Sequence, residues 1–175
     1  MTIDEAYTLI KSESIIENQA PTHWVDLGCG AGLFTTALSR MLQHGSHIDG
    51  IDINKTLQGR ITGNGVTIRP LQLDFIRDEL GLRDLDGILM ANSLHYVHDK
   101  TALLQKLQPT LRPGPGASFL IVEYDTDIPV PRWVPYPLSF HALTTLFNSI
   151  GYTHIHHLGA RSSAYGGNMY AAQIS

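Results

Sequence analysis

The hydrophobic pattern changes period several times along the chain. Ile3, Tyr7, Ile10 and the pair Ile15-Ile16 recur at helical spacing, which predicts an amphipathic helix over residues 4–18. Residues 24–27 then form a short apolar strand, followed by a glycine-rich turn and a helix over 33–43. The next strand covers 46–52, a short helix 55–61, and a third strand 66–70. Residues 86–91 are apolar on both faces, as befits a central parallel strand. A helix over 99–108 has Asp99 as its N-cap and Pro109 just beyond its end. The turn Pro113-Gly114-Pro115-Gly116 launches a fifth strand over 117–124. Ser139 and Gly151 bracket a helix over 140–150. Two further strands, 152–158 and 168–174, close the chain around a Gly-flanked loop.

Strand and helix alternate five times before the last strand pair. This predicts a three-layer α/β fold: a mostly parallel, twisted sheet of about seven strands with a C-terminal antiparallel strand and helices on both faces. Ligands of such sheets bind beyond the C-terminal strand ends, near the switch in strand order. The loops after strands one, two, four and five are therefore where chemistry is expected.

The run Val25-Asp26-Leu27-Gly28-Cys29-Gly30-Ala31-Gly32 lies in the first of these loops. Glycines at every second position between strand and helix make a tight turn whose bare backbone can lie against a ligand. A dinucleotide fingerprint would place its third glycine one position later, where Leu33 stands. Asp26 would also repel a pyrophosphate at the helix N-terminus. The same carboxylate suits a ligand with an ammonium and a sulfonium and no phosphate, which describes S-adenosylmethionine. Asp52, ending the second strand, is placed to accept hydrogen bonds from both ribose hydroxyls. Asp74 follows the third strand and can accept from an adenine amino group, with Phe75 or Ile53 against the purine face. Asn92 carries the fourth strand past the methyl-transfer position.

These motifs, from about Trp24 to Tyr124, resemble those of the class I, seven-stranded S-adenosylmethionine-dependent methyltransferases. The Leu111-Arg112-Pro113-Gly114 turn is similar to that family as well, with Pro115 interrupting the usual glycine pair. The resemblance implies that Gly28, Gly30 and Gly32 cradle the methionine portion, that Asp52 binds ribose and that Asp74 marks the adenine. Asp26, Cys29, Ile53, Phe75 and Asn92 complete the expected cofactor contacts.

Methyl transfer from a sulfonium asks mainly for position and desolvation, and for a base only when the acceptor must lose a proton. His95, after the fourth strand, is the candidate base. Tyr96 stands at the same mouth, and Glu123, Tyr124 and Asp125, which end the fifth strand at its other wall, include a candidate to orient the acceptor. Residues 125–140 hold Pro129, Pro131, Pro135 and Pro137 with Trp133 and Tyr136, a stiff segment expected to wall the acceptor side. Arg161, in a loop over 159–167, is a candidate partner for an acceptor carboxylate.

Composition narrows the function. The chain has 175 residues, a net charge of −4 and no basic run, which disfavours a nucleic-acid partner. Asn92-Ser93-Leu94-His95 replaces the Asn/Asp-Pro-Pro-aromatic run of base amino-group methylation, and no cysteine follows strand four. Cys29 is the single cysteine, and the crowded His154, His156 and His157 lack an acidic cluster, so no metal is expected. Neither a membrane-length apolar run nor a secretory leader is seen, so a cytoplasmic location is expected by default. The expectation is a single methyltransferase domain over 1–175, with an N-terminal helix over 1–20, acting on a small molecule. The alternatives are a non-catalytic cofactor-binding partner and a protein or nucleic-acid methyltransferase. A flavin or nicotinamide oxidoreductase is disfavoured by Asp26 and Leu33.

Overall fold

The computed structural model describes residues 1–163 and 167–175. Among the described residues, eight strands form one sheet: β1 (His23–Leu27), β2 (His47–Asp52), β3 (Arg60–Ile61), β4 (Thr67–Gln72), β5 (Gly87–Ala91), β6 (Ser118–Tyr124), β7 (Ile155–Ser162) and β8 (Asn168–Ile174). Their order is β3-β4-β2-β1-β5-β6-β8-β7. The central strands β4, β2, β1, β5 and β6 run parallel, and β3, β7 and β8 pair antiparallel. The order reverses at β1, which has β2 on one side and β5 on the other. A crevice therefore opens there at the C-terminal strand ends.

Helices α1 (Ile3–Ile10) and α3 (Leu33–Ser39) cover one face, burying Leu9, Ile10, Phe34 and Leu38 against Trp24, Ile48 and Leu120. Helices α4 (Lys100–Leu107) and α5 (Phe140–Ser149) cover the other, with Leu104, Leu143 and Phe147 against Ile88, Phe119 and Ile121. The expected caps form: Asp99 accepts from the Ala102 amide at 2.9 Å, and Ser139 from the Ala142 amide at 3.2 Å. No described helix is long and apolar enough to cross a membrane.

Three elements differ from their expected form. The N-terminal helix is interrupted after Ile10 and resumes only as the short α2 (Glu13–Ile16). The buried Ser12 hydroxyl donates to Gln173 Oε1 at 2.5 Å, and this tertiary bond outweighs local periodicity. Residues 55–61 are extended rather than helical. Leu57 drops into a cluster with Cys29 and Ile68, and β3 pairs with β4. The segment beginning at Gly159, expected to be a loop, continues β7 to Ser162, with a register shift between His157 and Gly159. Residues 164–166 of that expected loop lie outside the described residues.

Candidate functional site

The turn between β1 and α3 is tied to the end of β2. The amides of Gly28 and Cys29 both donate to the Ile51 carbonyl, at 2.8 and 3.1 Å. Gly28, Gly30 and Gly32 all have positive φ, but for different uses. A Cβ on Gly28 would lie 2.5 Å from Ser93 Cβ, and one on Gly32 would lie 2.3 Å from Leu57 Cδ1. Those two positions are small because protein packs against them. A Cβ on Gly30 would meet nothing within 4 Å, so this is the glycine that leaves open space. Cys29 presents its backbone to the turn, and its Sγ lies 3.7 Å from the Gly30 carbonyl. Its side chain is packed in the Leu57 cluster, and burial, then the charges of Asp26 and Asp52, push its thiol up to about 12.

Asp52 faces this loop. Its Oδ2 accepts from the Gly30 amide at 2.9 Å and its Oδ1 from the Asn54 amide at 2.8 Å. Each oxygen keeps lone-pair capacity for a further donor. Thr56 fastens the far side of the loop by donating to the Gly30 carbonyl at 2.7 Å. Beneath the loop, Asp26 is almost fully buried. Thr35 donates to its Oδ2 at 2.5 Å, while Oδ1 is buried without a partner. Burial pushes its carboxyl up to about 7 against the Thr35 bond, and the nearby Asp52 charge adds to the rise.

The two purine-face candidates separate. Ile53 is 61% exposed just beyond β2, whereas Phe75 is buried in the main core, its ring edge close to Gly28. Phe75 therefore supports the loop from below, and Ile53 offers the open apolar surface. Asp74 holds its own turn: Oδ1 accepts from the amides of Ile76 and Arg77 at 3.0 and 3.3 Å, with the Arg77 side chain 3.5 Å from Oδ2.

Past β5, Asn92 has a φ of +55°, unusual for a residue with a side chain, and its Oδ1 is buried without a partner. His95 follows in a 3-10 turn and is 2% exposed. Glu123, fully buried near the end of β6, accepts from the His95 amide at 3.1 Å and contacts its Nδ1 at 2.6 Å. Nδ1 is thus the ring nitrogen engaged by the carboxylate, and Nε2 is the one left for a ligand.

Two cavities meet at Asn92 and Tyr124. The larger, about 830 Å³, is lined by His95, Tyr96, Asp125 and Trp133 among others. Trp133 sits on a tight hairpin closed by the Val130–Val134 bridge and is 63% exposed at the rim. Tyr136 does not line this cavity. Its amide donates to the His95 carbonyl at 3.0 Å, and its ring packs edge-on against His98 at 4.9 Å, with Lys100 Nζ 5.7 Å away. The smaller cavity, about 260 Å³, lies toward α1 and α3 and includes Leu33, Phe34 and Arg161. Arg161 pairs with Glu5 at 3.1 Å, while its Nη1 is buried without a partner. Arg161 is therefore on a strand at the smaller cavity and absent from the lining of the larger one.

Glu123 is expected only as one of three residues, with Tyr124 and Asp125, that end the fifth strand and can orient an acceptor; its pairing with His95 is not foreseen, yet a signal for it exists. It is a lone acid in the run Phe119-Leu120-Ile121-Val122-Glu123, and a carboxylate inside a buried strand requires a partner. Ser93 and Thr35, which close the turn from behind, carry no comparable signal.

A methyltransferase-domain family matches residues 8–162. An uncharacterized methyltransferase from Mycobacterium tuberculosis is 28% identical over 90 residues, which is 51% of this chain and 45% of that protein. The match thus spans under half the length of the curated relative. Among solved structures, an S-adenosylmethionine-dependent methyltransferase from Leishmania major superposes with a TM-score of 0.72 at 15% identity, covering 99% of this chain and 72% of that one. The 1,6-didemethyltoxoflavin-N1-methyltransferase of Burkholderia thailandensis, solved with that small molecule and S-adenosylhomocysteine, gives 0.67 at 17% identity, covering 98% and 76%. At these identities the structural likeness is one of fold.

Proposed function

The chain belongs to the methyltransferase-domain family that matches residues 8–162, and from that premise we propose that it uses S-adenosylmethionine to methylate a small organic acceptor held beside His95. The observation that carries the reading is the meeting of two differently built cavities at Asn92 and Tyr124. One is small and bordered by orphaned polar atoms. The other is larger, mostly apolar and faced by a histidine.

The residues present fit the cofactor. Its amino-acid end is zwitterionic, and the buried, unpartnered atoms at this end of the sheet include one cationic donor, Arg161 Nη1, and the acceptors Asn92 Oδ1 and Asp26 Oδ1. Arg161 is assigned here to the cofactor carboxylate rather than to the acceptor. Gly30 would give the open backbone, Asp52 would receive the ribose hydroxyls, Ile53 would meet the purine face, and Asp74 would mark the adenine edge. When bound, S-adenosylmethionine supplies a methyl group on a sulfonium, for in-line displacement with a neutral thioether as leaving group.

The chain's own part is position, desolvation and proton transfer. Tyr96, Tyr124 and Trp133 hold the acceptor and exclude water. His95 Nε2 takes the acceptor's proton, and Glu123 fixes the ring and stabilises the imidazolium that results. Mostly apolar walls in a cavity of this size suit a drug-sized molecule. The small acceptor of the Burkholderia neighbour supports the same class. The test is a panel of protic small molecules incubated with S-adenosylmethionine, scored by S-adenosylhomocysteine formation. Turnover with a panel member, reduced at least about tenfold in Trp133→Ala through KM, is expected. Turnover only on protein or nucleic acid would contradict the reading.

A further inference from the structure

The cavity beside His95 has an electrostatic character that the general reaction does not require. Three aromatic side chains, Tyr96, Tyr124 and Trp133, line it together with His95. The His95 ring lies 4.3 Å from that of Tyr96 and 5.8 Å from that of Tyr124. The charged residue in the lining is Asp125, and no lysine or arginine is among the described lining residues. Asp125 is held in place by accepting from the Phe140 amide through Oδ1 at 2.9 Å, which leaves its other oxygen for a ligand. Behind His95 stands the fully buried Glu123. Arg161 is held at the smaller cavity by Glu5. Lys100 is turned back onto the Val97 carbonyl at 2.9 Å.

Resting on the methyltransferase reading of this cavity, we propose that it selects an amine, bound as its ammonium form on an apolar body, as the methyl acceptor. Aromatic faces attract a cation through their quadrupoles, and a nearby carboxylate adds to that attraction. A carboxylate or phosphate in the same place would face Asp125 with no lysine or arginine among the described lining residues to offset it. The remaining apolar rim, Ile128 and Val130, accommodates the body of the molecule.

The proton inventory agrees with the His95–Glu123 pair. The bound ammonium gives one N–H proton to His95 Nε2. The freed nitrogen lone pair then forms the new N–C bond to the methyl carbon as its C–S bond breaks, and the sulfur leaves with that electron pair as a thioether. The product leaves as a methylated ammonium, and His95 returns its proton to water. An acceptor without such a proton would leave the buried pair without a task.

The test uses the whole chain, with and without saturating S-adenosylhomocysteine, titrated calorimetrically with phenethylamine, phenethyl alcohol and phenylacetate. These share one apolar body and differ in charge. Phenethylamine is expected to bind at least about tenfold more tightly than the alcohol, with phenylacetate weakest. Asp125→Asn and Trp133→Leu are each expected to bring the amine toward the alcohol's affinity while S-adenosylhomocysteine affinity is unchanged. Equal binding of amine and alcohol, preference for phenylacetate, or no amine binding would overturn the proposal. The S-adenosylhomocysteine titration reports separately on the methyltransferase reading, so the two failures are distinguishable.

Discussion

Glu123 holds His95 at two points, its backbone amide at 3.1 Å and its ring Nδ1 at 2.6 Å, and both residues are buried. A base fixed in this way works by orientation as much as by basicity. Replacing His95 with alanine is expected to lower kcat by about 10²- to 10⁴-fold. Glu123→Gln keeps an acceptor but loses the charge that stabilises the imidazolium, and a smaller loss, about tenfold or more, is expected. Cofactor affinity should stay within about threefold in both variants, a change of under 1 kcal/mol. Steady-state kinetics with a parallel cofactor titration checks this, and a His95→Ala enzyme of native kcat would remove the residue from the mechanism.

Asp26 predicts a pH dependence. Its folded carboxyl is pushed up to about 7 from 3.8, chiefly by burial. The group therefore binds a proton more tightly in the folded chain than in the unfolded one. Its contribution to stability is greatest below the unfolded value, declines as pH rises, and becomes a constant penalty above about 7. At about 1.36 kcal/mol per pKa unit the penalty is at most about 4 kcal/mol. Asp26→Asn is expected to melt higher than the native chain at pH ~8 and to match it near pH ~4. Cation binding favours the ionised form, so cofactor affinity should rise between pH ~5 and ~8 in the native chain and lose that dependence in the variant. Thermal melts and titrations across this range measure both, and a variant less stable at pH ~8 would refute the assignment.

The glycine turn separates folding from binding. Gly32→Ala adds a Cβ 2.3 Å from Leu57 Cδ1 at a φ of +84°, so a lowered Tm is the expected result. Gly30→Ala adds a Cβ to open space at a φ of +51°, costing about 1–2 kcal/mol of backbone strain. Its larger effect should be on cofactor affinity, about tenfold or more, because the new methyl occupies the volume left for the ligand. Unchanged cofactor affinity in a folded Gly30→Ala protein would show that this space is not used.

Arg161 offers an independent check on the smaller cavity. Arg161→Met keeps the bulk of the side chain and removes the unpartnered Nη1. S-adenosylhomocysteine should bind about 10- to 100-fold more weakly, while adenosine, which lacks the carboxylate, should bind as before. Equal losses for both ligands would point to collapse of the Glu5–Arg161 link between α1 and β7 instead.

Most of the strands were legible because β1, β5 and β6 carry apolar runs punctuated by turn residues, and Asp99 and Ser139 announce their helices. Residues 55–61 misled because Lys55 to Gln58 read as helix formers, whereas burial of Leu57 beneath Gly32 and Gly50 decides their path. The helix break at Ser12 depends on Gln173, 161 positions away, and no local pattern encodes it. At the site, Asp26, Gly30, Asp52, Asn92 and His95 lie where their sequence positions place them, at the C-terminal ends of β1, β2 and β5 or in the loops that follow. Phe75 and Tyr136 were assigned by residue type, but the first is drawn into the core and the second turns to His98 and Lys100. The glycine spacing alone does not separate Gly30, whose Cβ position faces open space, from Gly28 and Gly32, whose Cβ positions are taken by Ser93 and Leu57 from other loops.

Calorimetric titration of the native chain with S-adenosylmethionine, S-adenosylhomocysteine and NAD tests its cofactor use most directly. Micromolar binding of the first two, no binding of NAD, and loss of binding in Asp52→Ala at preserved melting behaviour is the expected result. Failure of the native chain to bind either sulfur ligand, or tighter binding of NAD, would contradict the account.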